Sequence, residues 1–357
     1  MTEQKSVVTL RIPKRILAIG IIAIVLVAAI LIFWQVYPIL QNPHSNYVPV
    51  KLQPMNLTLV ALNGTSLTLN ETDIAKLESF TSQGGFKNSV GNLGGIGNYT
   101  GVRLSDLCNL IGGINSTCCL NVTGNDRYSV VFTYDQVMGN NLVTFNPTTH
   151  DETNHTQPLT VILAYYEDGL NLTSNGKDPP GPLRLVIIGP EELLTDGYLW
   201  VKDVVRIEIL PAVKEWALFL KGALTENMTR AYFESGLNCK TANHVANWTD
   251  GNNNMWSGMP LWYLIGWIDD KGDINKMEFN DTLAIQGYTV RVINGKGDYV
   301  EFNSTRVMRN PNIIAANTLN GDPLPEFYWP LKLVGSGLSD DEMICNIVEI
   351  QIIFSGS

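Results

Sequence analysis

The sequence predicts a mostly β, α+β protein made of two tandem copies of one domain behind an N-terminal transmembrane helix. Three observations predict it: segments in which apolar and polar residues alternate, one long apolar run near the N-terminus, and a set of matching blocks that recurs in the same order. The chain has 357 residues, of which 45% are hydrophobic and 16% are charged. This length accommodates two domains of about 100–200 residues each, and so small a charged fraction argues against a disordered chain.

The apolar run is Ile16–Trp34, nineteen residues without a charge. At about 1.5 Å per residue it covers roughly 29 Å, close to the hydrocarbon thickness of a bilayer. A cleaved signal peptide, the alternative, has a shorter apolar region followed by a small-residue cleavage site. Residues 1–15 carry four basic side chains and one acidic, which places them in the cytoplasm and the remainder of the chain outside. We therefore expect a cytoplasmic tail (1–15), a transmembrane helix (16–37) and a stalk (38–54) in a single-pass protein of the cell membrane.

The outer part of the chain is acidic and rich in glycosylation acceptor patterns. The net charge is −10, and because the tail contributes +3, the outer part carries −13. This balance argues against a nucleic-acid partner, for which a basic surface is typical. Twelve Asn-x-Ser/Thr patterns, all on the outer side, are candidates for N-glycosylation: Asn56, Asn63, Asn70, Asn98, Asn115, Asn121, Asn154, Asn171, Asn227, Asn247, Asn280 and Asn303.

Four blocks of the first half of the outer part match blocks of the second half in the same order. The pairs begin at Tyr99 and Trp256 (aromatic, hydroxyl, Gly, apolar, x, Leu, x, x, Leu), at Val131 and Glu301, at Pro182 and Pro330, and at Val204 and Ile347. Four ordered matches indicate a duplication. The predicted domains are Met55–Pro211, copy 1, and Ala212–Ser357, a diverged copy 2.

Each copy reads as a set of strands with one or two short helices. Alternating apolar residues predict strands at Tyr128–Phe132, Leu183–Ile188, Val204–Leu210, Tyr288–Ile293, Tyr299–Phe302 and Ile347–Phe354. The segment Asn294–Asp298 has the turn residues of a hairpin. Apolar residues at helical spacing predict short helices at Leu104–Ile111 and Leu261–Ile268.

The matched blocks resemble the oxidoreductase molybdopterin-binding domain, the catalytic fold of the sulfite oxidase family. The resemblance rests on Tyr99-Thr-Gly-Val-Arg-Leu-Ser-Asp-Leu, on Leu163-Ala-Tyr-Tyr-Glu-Asp-Gly-Leu with Gly181-Pro-Leu-Arg-Leu-Val, and on Tyr198-Leu-Trp-Val-Lys-Asp-Val-Val-Arg-Ile-Glu. It covers nearly all of Met55–Leu210, and copy 2 looks like a diverged version of the same unit. It implies two tandem sulfite-oxidase-like domains.

The resemblance also implies a cysteine ligand to molybdenum upstream of the first matched block. The corresponding stretch of copy 1, Phe80–Val90, contains no cysteine, whereas Cys239 lies upstream of Trp256 in copy 2. Cys239 is therefore the one candidate cofactor ligand, and the basic residues that would hold the cofactor phosphate are few around it. A disulfide or a buried thiol is the alternative reading of this cysteine.

The remaining candidate chemistry concerns cysteines and histidines. The five cysteines are Cys108, Cys118, Cys119, Cys239 and Cys345. Outside the cell, disulfides can form, so we expect Cys108 to pair with Cys118 or Cys119 and Cys239 with Cys345, although sequence does not fix the pairing. His150 and His155 flank two carboxylates, which suggests a metal cluster, but their polar loop favours a solvated insertion.

Two functions follow from these expectations. The first is a membrane-anchored surface protein in which the duplicated fold serves, without cofactor or catalysis, as a binding or envelope-assembly module, with other envelope proteins or further copies as partners. The second is a membrane-tethered molybdopterin oxidoreductase with Cys239 as ligand. If the module has a pocket, the density of aromatic residues predicts it near Cys239–Trp256 and Glu326–Trp329.

Overall fold

The computed structural model describes residues 51–89, 91–174, 181–238, 244–271 and 278–354. Within these ranges no helix has the length and apolar character needed to cross a bilayer. The predicted transmembrane helix (16–37), most of the predicted stalk and Cys239 lie outside the described residues. From Leu52 onward the described residues belong to one compact unit. Its first half (52–211) and second half (212–354) are described in turn.

The first half contains two sheets and three short helices. Its strands are β1 (Asn56–Val60), β2 (Ser66–Asn70), β3 (Ser79–Lys87), β4 (Leu93–Arg103), β5 (Cys118–Gly124), β6 (Ser129–Thr133), β7 (Thr144–Phe145), β8 (Thr160–Glu167), β9 (Leu170–Asn171), β10 (Arg184–Ile188), β11 (Leu194–Asp196) and β12 (Val204–Pro211). Its helices are α1 (Glu71–Ile74), α2 (Leu104–Asn109) and α3 (Tyr134–Val137), with 3₁₀ turns at Leu172–Ser174 and Gly197–Leu199.

The second half repeats this composition. Its strands are β13 (Ala217–Lys221), β14 (Thr225–Thr229), β15 (Ala246–Thr249), β16 (Met255–Pro260), β17 (Tyr288–Asn294), β18 (Tyr299–Asn303), β19 (Ile314–Leu319), β20 (Asp322–Pro323), β21 (Lys332–Val334) and β22 (Ile347–Phe354). Its helices are α4 (Arg230–Leu237), α5 (Leu261–Ile265), α6 (Asp281–Gln286) and α7 (Ser304–Val307), with a 3₁₀ turn at Asp340–Glu342.

The sheets of the two halves have the same topology. One sheet has the order β2-β1-β12-β5-β6 in the first half and β14-β13-β22-β17-β18 in the second. In each, the first and last long strands of the half pair in parallel and their other neighbours are antiparallel. The other sheet contains β3-β4-β8-β10 in the first half, and β15-β16-β19-β21 repeats these pairings. Each half encloses its own apolar core.

The strongest matching block has a common structural cause in both halves. In the first half the β4–β8 ladder bulges between Thr100 and Gly101, and in the second the β16–β19 ladder bulges between Ser257 and Gly258. A Cβ on Gly101 would lie 2.2 Å from the Leu163 carbonyl oxygen, and one on Gly258 would lie 2.1 Å from the corresponding oxygen of Ala315. Only glycine allows this approach of two backbones. The close contact between two backbones therefore explains why the matching block has a glycine at this position in both halves.

The predicted elements are largely confirmed. All six predicted strands are present to within a residue or two, and Asn294–Asp298 closes the β17–β18 hairpin, with Asn294 N donating to the Asp298 carbonyl. The two predicted helices are shorter than expected. Helix α2 ends at Asn109, before Gly112 and Gly113, which both have positive φ, and α5 ends at Ile265 with Gly266 as its C-cap. The exact domain boundaries stay a prediction.

Helix α4 packs the second half against the first. At its C-terminal end Asn238 Nδ2 donates to the Ser129 carbonyl in β6 at 3.1 Å. The Tyr232 ring stacks on that of Tyr198, with centroids 4.9 Å apart and planes at 16°. A hydrogen bond joins the side chains of Tyr232 and Ser89. One helix thus makes polar and aromatic contacts with three separate segments of the first half.

The first residue of α4 ties this helix to the segment that connects the halves. Arg230 is 3% exposed, and its guanidinium binds two carboxylates, because Nε donates to Glu215 Oε1 at 2.9 Å and Nη1 donates to Glu234. Glu215 belongs to the connector, whose Ala212 N–H donates to the Thr117 carbonyl of the first half. A buried guanidinium with two carboxylate partners fixes the position and orientation of helix α4 relative to the connector.

Arg230→Met should therefore destabilise the folded protein by about 2–3 kcal/mol, because the half-buried Glu234 carboxylate and the exposed Glu215 carboxylate both lose the buried guanidinium that binds them. Urea unfolding of the full chain measures this. The matched control is Arg291→Met, which removes a more exposed arginine paired with Glu301 and should cost less than about 1 kcal/mol. Equal losses in the two variants would contradict a structural role for the joint.

Candidate functional site

Within the described residues, a cleft of about 870 Å³ lies between the two halves. Its volume is within the range of small-molecule sites, about 300–1,000 Å³. Both halves contribute to its walls. The lining residues are Lys87, Asn88, Ser89, Gly91, Tyr128, Val143, Phe145, His150, Asp151, Glu152, Asp196, Gly197, Tyr198, Thr225, Glu226, Asn227, Met228, Thr229, Tyr232, Ser235, Gly236, His244, Met259, Tyr263 and Trp267.

Strand ends and short turns position these side chains. In the first half, β3 ends at Lys87 and its parallel neighbour β11 ends at Asp196, in register with it, so both side chains reach the same edge of the sheet. In the second half the edge strand β14 and the helix α4 that follows it form the opposite wall. Thr229 caps α4 by accepting the Tyr232 N–H at 3.3 Å, which fixes the turn between them.

Aromatic rings cover much of the cleft wall. Tyr232 lies between Tyr198, on which it stacks, and Trp267, which it meets edge-on with centroids 5.0 Å apart. Tyr128 donates its hydroxyl to the Tyr198 carbonyl at 2.8 Å. Burial raises the pKa of the Tyr198 and Tyr232 hydroxyls, so both stay neutral at physiological pH. The wall thus combines apolar ring faces with neutral hydroxyl groups.

Carboxylates lie among these rings. Burial, together with the nearby Glu226 and Glu152 carboxylates, raises the pKa of Asp196 to about 7, whereas Lys87 lowers it. Burial also raises the pKa of Glu226. Asp196 precedes a 3₁₀ turn but makes no capping hydrogen bond with its side chain. A raised pKa is expected for a half-buried carboxylate whose charge has no hydrogen-bonding partner.

The cleft lining contains fewer basic than acidic side chains, and Lys87 and His244 already have partners within the protein. The Lys87 ammonium donates to the His150 carbonyl at 3.0 Å and lies 4.5 Å from the centre of the Phe145 ring. Burial lowers the pKa of His244, whose Nδ1 lies 3.2 Å from the Gly236 carbonyl oxygen, so this imidazole is neutral. Four carboxylates therefore face one ammonium among the lining residues, and the cleft is anionic.

The residues of the first half do not fit molybdopterin. In the stretch where the resemblance requires a metal-binding cysteine, a Cβ on Gly84 would lie 2.7 Å from the Ile187 carbonyl oxygen and one on Gly85 would lie 2.5 Å from Leu194 Cδ2. At Gly84 the obstacle is backbone, so a side chain does not fit there, whereas at Gly85 it is the end of the Leu194 side chain. The anionic cleft would also repel the cofactor's phosphate, which basic side chains normally bind.

The predicted cysteine chemistry is not supported. Among the described cysteines, Cys108, Cys118, Cys119 and Cys345 are all free thiols, so the expected disulfide of Cys108 with Cys118 or Cys119 is absent from this structure. Because burial raises the pKa of Cys108 to about 12, this thiol is inert at neutral pH. Cys239, both as a metal ligand and as a disulfide partner of Cys345, lies outside the described residues. In the described ranges no cluster of three or more His, Cys, Asp or Glu side chains could hold a metal.

The predicted glycosylation acceptors are mostly accessible. Nine of the twelve asparagines are exposed, and Asn121, Asn171 and Asn280 are half-buried. Asn280 caps α6, accepting the Leu283 N–H and donating to Asp270. Its amide nitrogen is therefore engaged, unlike a free acceptor on a loop.

The location of the cleft differs from the predicted pocket. His244 comes from the predicted Cys239–Trp256 region, but none of Glu326–Trp329 lines the cleft. The Trp329 ring instead contacts the Lys214 ammonium at 3.7 Å, and Lys214 pairs with Glu326. The residues that sequence reasoning missed are Asp196, Glu226 and Tyr232. Nothing in their local sequence marks them, because only the packing of the halves brings them together.

No protein-family model and no curated protein sequence matches this chain. Among solved structures, the chain is similar to the sulfane dehydrogenase SoxCD from Paracoccus pantotrophus, with 15% sequence identity and a TM-score of 0.35. The similarity covers 69% of this chain and 58% of the SoxCD chain.

Asp196→Asn should stabilise the protein at high pH. Because the pKa of Asp196 is raised in the folded state, the folded protein holds its proton between about pH 4 and pH 7, and ionisation costs folding free energy as the pH rises through this window. Removing the acid should add on the order of 1–3 kcal/mol of stability at pH 8 and almost none at pH 4. Urea unfolding at the two pH values measures the difference. Asp322→Asn, in the short exposed strand β20 outside the cleft, should change neither value, and an equal gain in both variants would contradict the assignment.

Proposed function

We propose that the protein is a membrane-anchored, extracytoplasmic binding module that holds no molybdenum cofactor and uses the cleft between its halves as a ligand site. The observation that carries the proposal is the cleft itself. Its volume suits a small molecule, both halves line it, and it combines aromatic ring faces with polar and acidic side chains, which is the composition of ligand pockets. The cleft requires both copies of the fold, because one copy alone supplies only one of its walls.

The sequence supports the cellular location. The charge-free run Ile16–Trp34, preceded by four basic residues, is typical of an uncleaved anchor with a cytoplasmic N-terminus. Nine exposed asparagines in acceptor patterns are compatible with a glycosylated outer part. Such a module can act alone or with other envelope proteins.

The proposal of a cofactor-free module is supported by the first half, where Phe80–Val90 contains no cysteine, a Cβ on Gly84 would meet the Ile187 carbonyl oxygen, and the cleft is anionic. The competing function is a membrane-tethered molybdopterin oxidoreductase with Cys239 as ligand. This function agrees with the resemblance of the matched blocks to molybdopterin-binding domains. It requires basic side chains around the cofactor phosphate, however, and the lining residues do not supply them.

The chain expressed in a host that makes molybdopterin should remain in the membrane pellet after carbonate washing, because a spanning helix resists this treatment whereas peripheral binding does not. The detergent-extracted protein should contain no stoichiometric molybdenum or tungsten by mass spectrometry. Recovery in the carbonate supernatant would overturn the anchor. Stoichiometric metal with a pterin spectrum would overturn the cofactor-free module in favour of the oxidoreductase.

Val143→Trp should block the ligand site, because Val143 lines the cleft and is 37% exposed, so an indole there fills the opening. The matched control is Val348→Trp, at a residue of β22 that is 36% exposed and lies outside the cleft lining. Saturation-transfer NMR on the full chain with a panel of small amines, sugars, carboxylic acids and amino acids should detect binding that the first variant loses and the second keeps. Binding that survives in Val143→Trp, or none across the panel, would contradict the proposal.

A further inference from the structure

The chemistry of the cleft walls points to a class of ligand. Asp196 faces the cleft half-buried, and within the described residues no hydrogen bond or ion pair satisfies its carboxylate. Glu226 and Glu152 lie close enough to disfavour its charge. A half-buried carboxylate without a protein partner, in a cleft lined by further carboxylates, is complementary to a group that brings a positive charge and a donor.

Lys87 does not fill this role. Its ammonium is held by the His150 carbonyl and the face of the Phe145 ring, and although Lys87 lowers the pKa of Asp196, no salt bridge joins these two side chains within the described residues. The contact with Phe145 nevertheless demonstrates that this cleft accepts an ammonium against an aromatic face.

The remaining walls suit an organic cation better than a metal ion. Tyr128, Tyr198, Tyr232, Tyr263 and Trp267 all line the cleft, and aromatic faces attract ammonium groups while packing against their carbon substituents. In the described ranges no group of three acidic, histidine or cysteine side chains could hold a metal. An anion is excluded by the carboxylates, and a neutral apolar ligand would leave Asp196 unpaired.

We propose that the cleft binds a small organic cation with an ammonium group, with Asp196 as the counter-ion and the tyrosine and tryptophan rings packing its carbon atoms. This assignment rests on the cleft being the ligand site, as proposed above, and names what enters it. The Asp196 carboxylate accepts a charge-assisted hydrogen bond from a protonated amine, or pairs electrostatically with a quaternary ammonium.

Isothermal titration calorimetry of the full chain at pH 8 with choline, and with its neutral isostere 3,3-dimethyl-1-butanol, tests the proposal. The two molecules have the same shape and differ in charge. Choline should bind at least about tenfold more tightly than the isostere, since both the ion pair and the cation–π contact require the charge. Asp196→Asn should remove this difference, whereas Asp322→Asn should retain it.

The outcomes separate the two proposals. Equal affinity for choline and the isostere, with binding lost in Val143→Trp, would overturn the cationic ligand and leave the cleft as the binding site. Binding that persists in Val143→Trp would overturn the cleft as the ligand site. Calcium chloride that displaces choline at equal concentration would assign the carboxylates to an inorganic cation and overturn the aromatic role. No binding of either probe, while other panel members bind in the cleft, would also overturn the cationic ligand.

Discussion

The packing of helix α4 against the first half is the contact on which the functional site depends. A helix of eight residues is unstable alone, so its contacts with neighbouring elements must hold it. The Arg230 guanidinium fixes its first turn to the connector through Glu215, and Asn238 fixes its last turn to β6. Between these ends Tyr232 stacks on Tyr198. These three contacts therefore determine how firmly this wall of the cleft is held in place.

This contact also explains how a duplication can produce a site that neither copy has alone. Helices α1 and α4 both follow the second strand of their half and are capped by its last residue, Asn70 or Thr229. Yet α1 has four residues and α4 has eight, and only the longer helix reaches the neighbouring half. Accordingly β6 is half covered, while its counterpart β18 exposes 54% of Tyr299. The symmetry of the fold is broken where the cleft forms.

The sequence predicted local structure well and the site poorly, for physical reasons. Alternating apolar residues determine which face of a strand is buried, so strands such as Val204–Pro211 and Ile347–Phe354 could be predicted. The matched glycines at 101 and 258 marked a backbone constraint that operates within one ladder. Asp196, by contrast, is an ordinary acidic residue at a strand end in the sequence. Its raised pKa arises first from burial and then from Glu226, which lies thirty positions further along the chain and in the other half. Local patterns cannot contain that information.

The net negative charge of the chain, which as an average indicates only solubility, has a local meaning in the folded structure. Most carboxylates here are exposed or paired, as Glu342 is with Arg306, and such groups cost the fold little. Asp196 is neither, and burial holds its pKa near 7 at the expense of folding stability. Selection for stability alone would replace this residue with an amide of the same shape, whereas binding sites retain groups that destabilise the fold. The uncompensated carboxylate is thus a stronger indication of function than the number of acids around it.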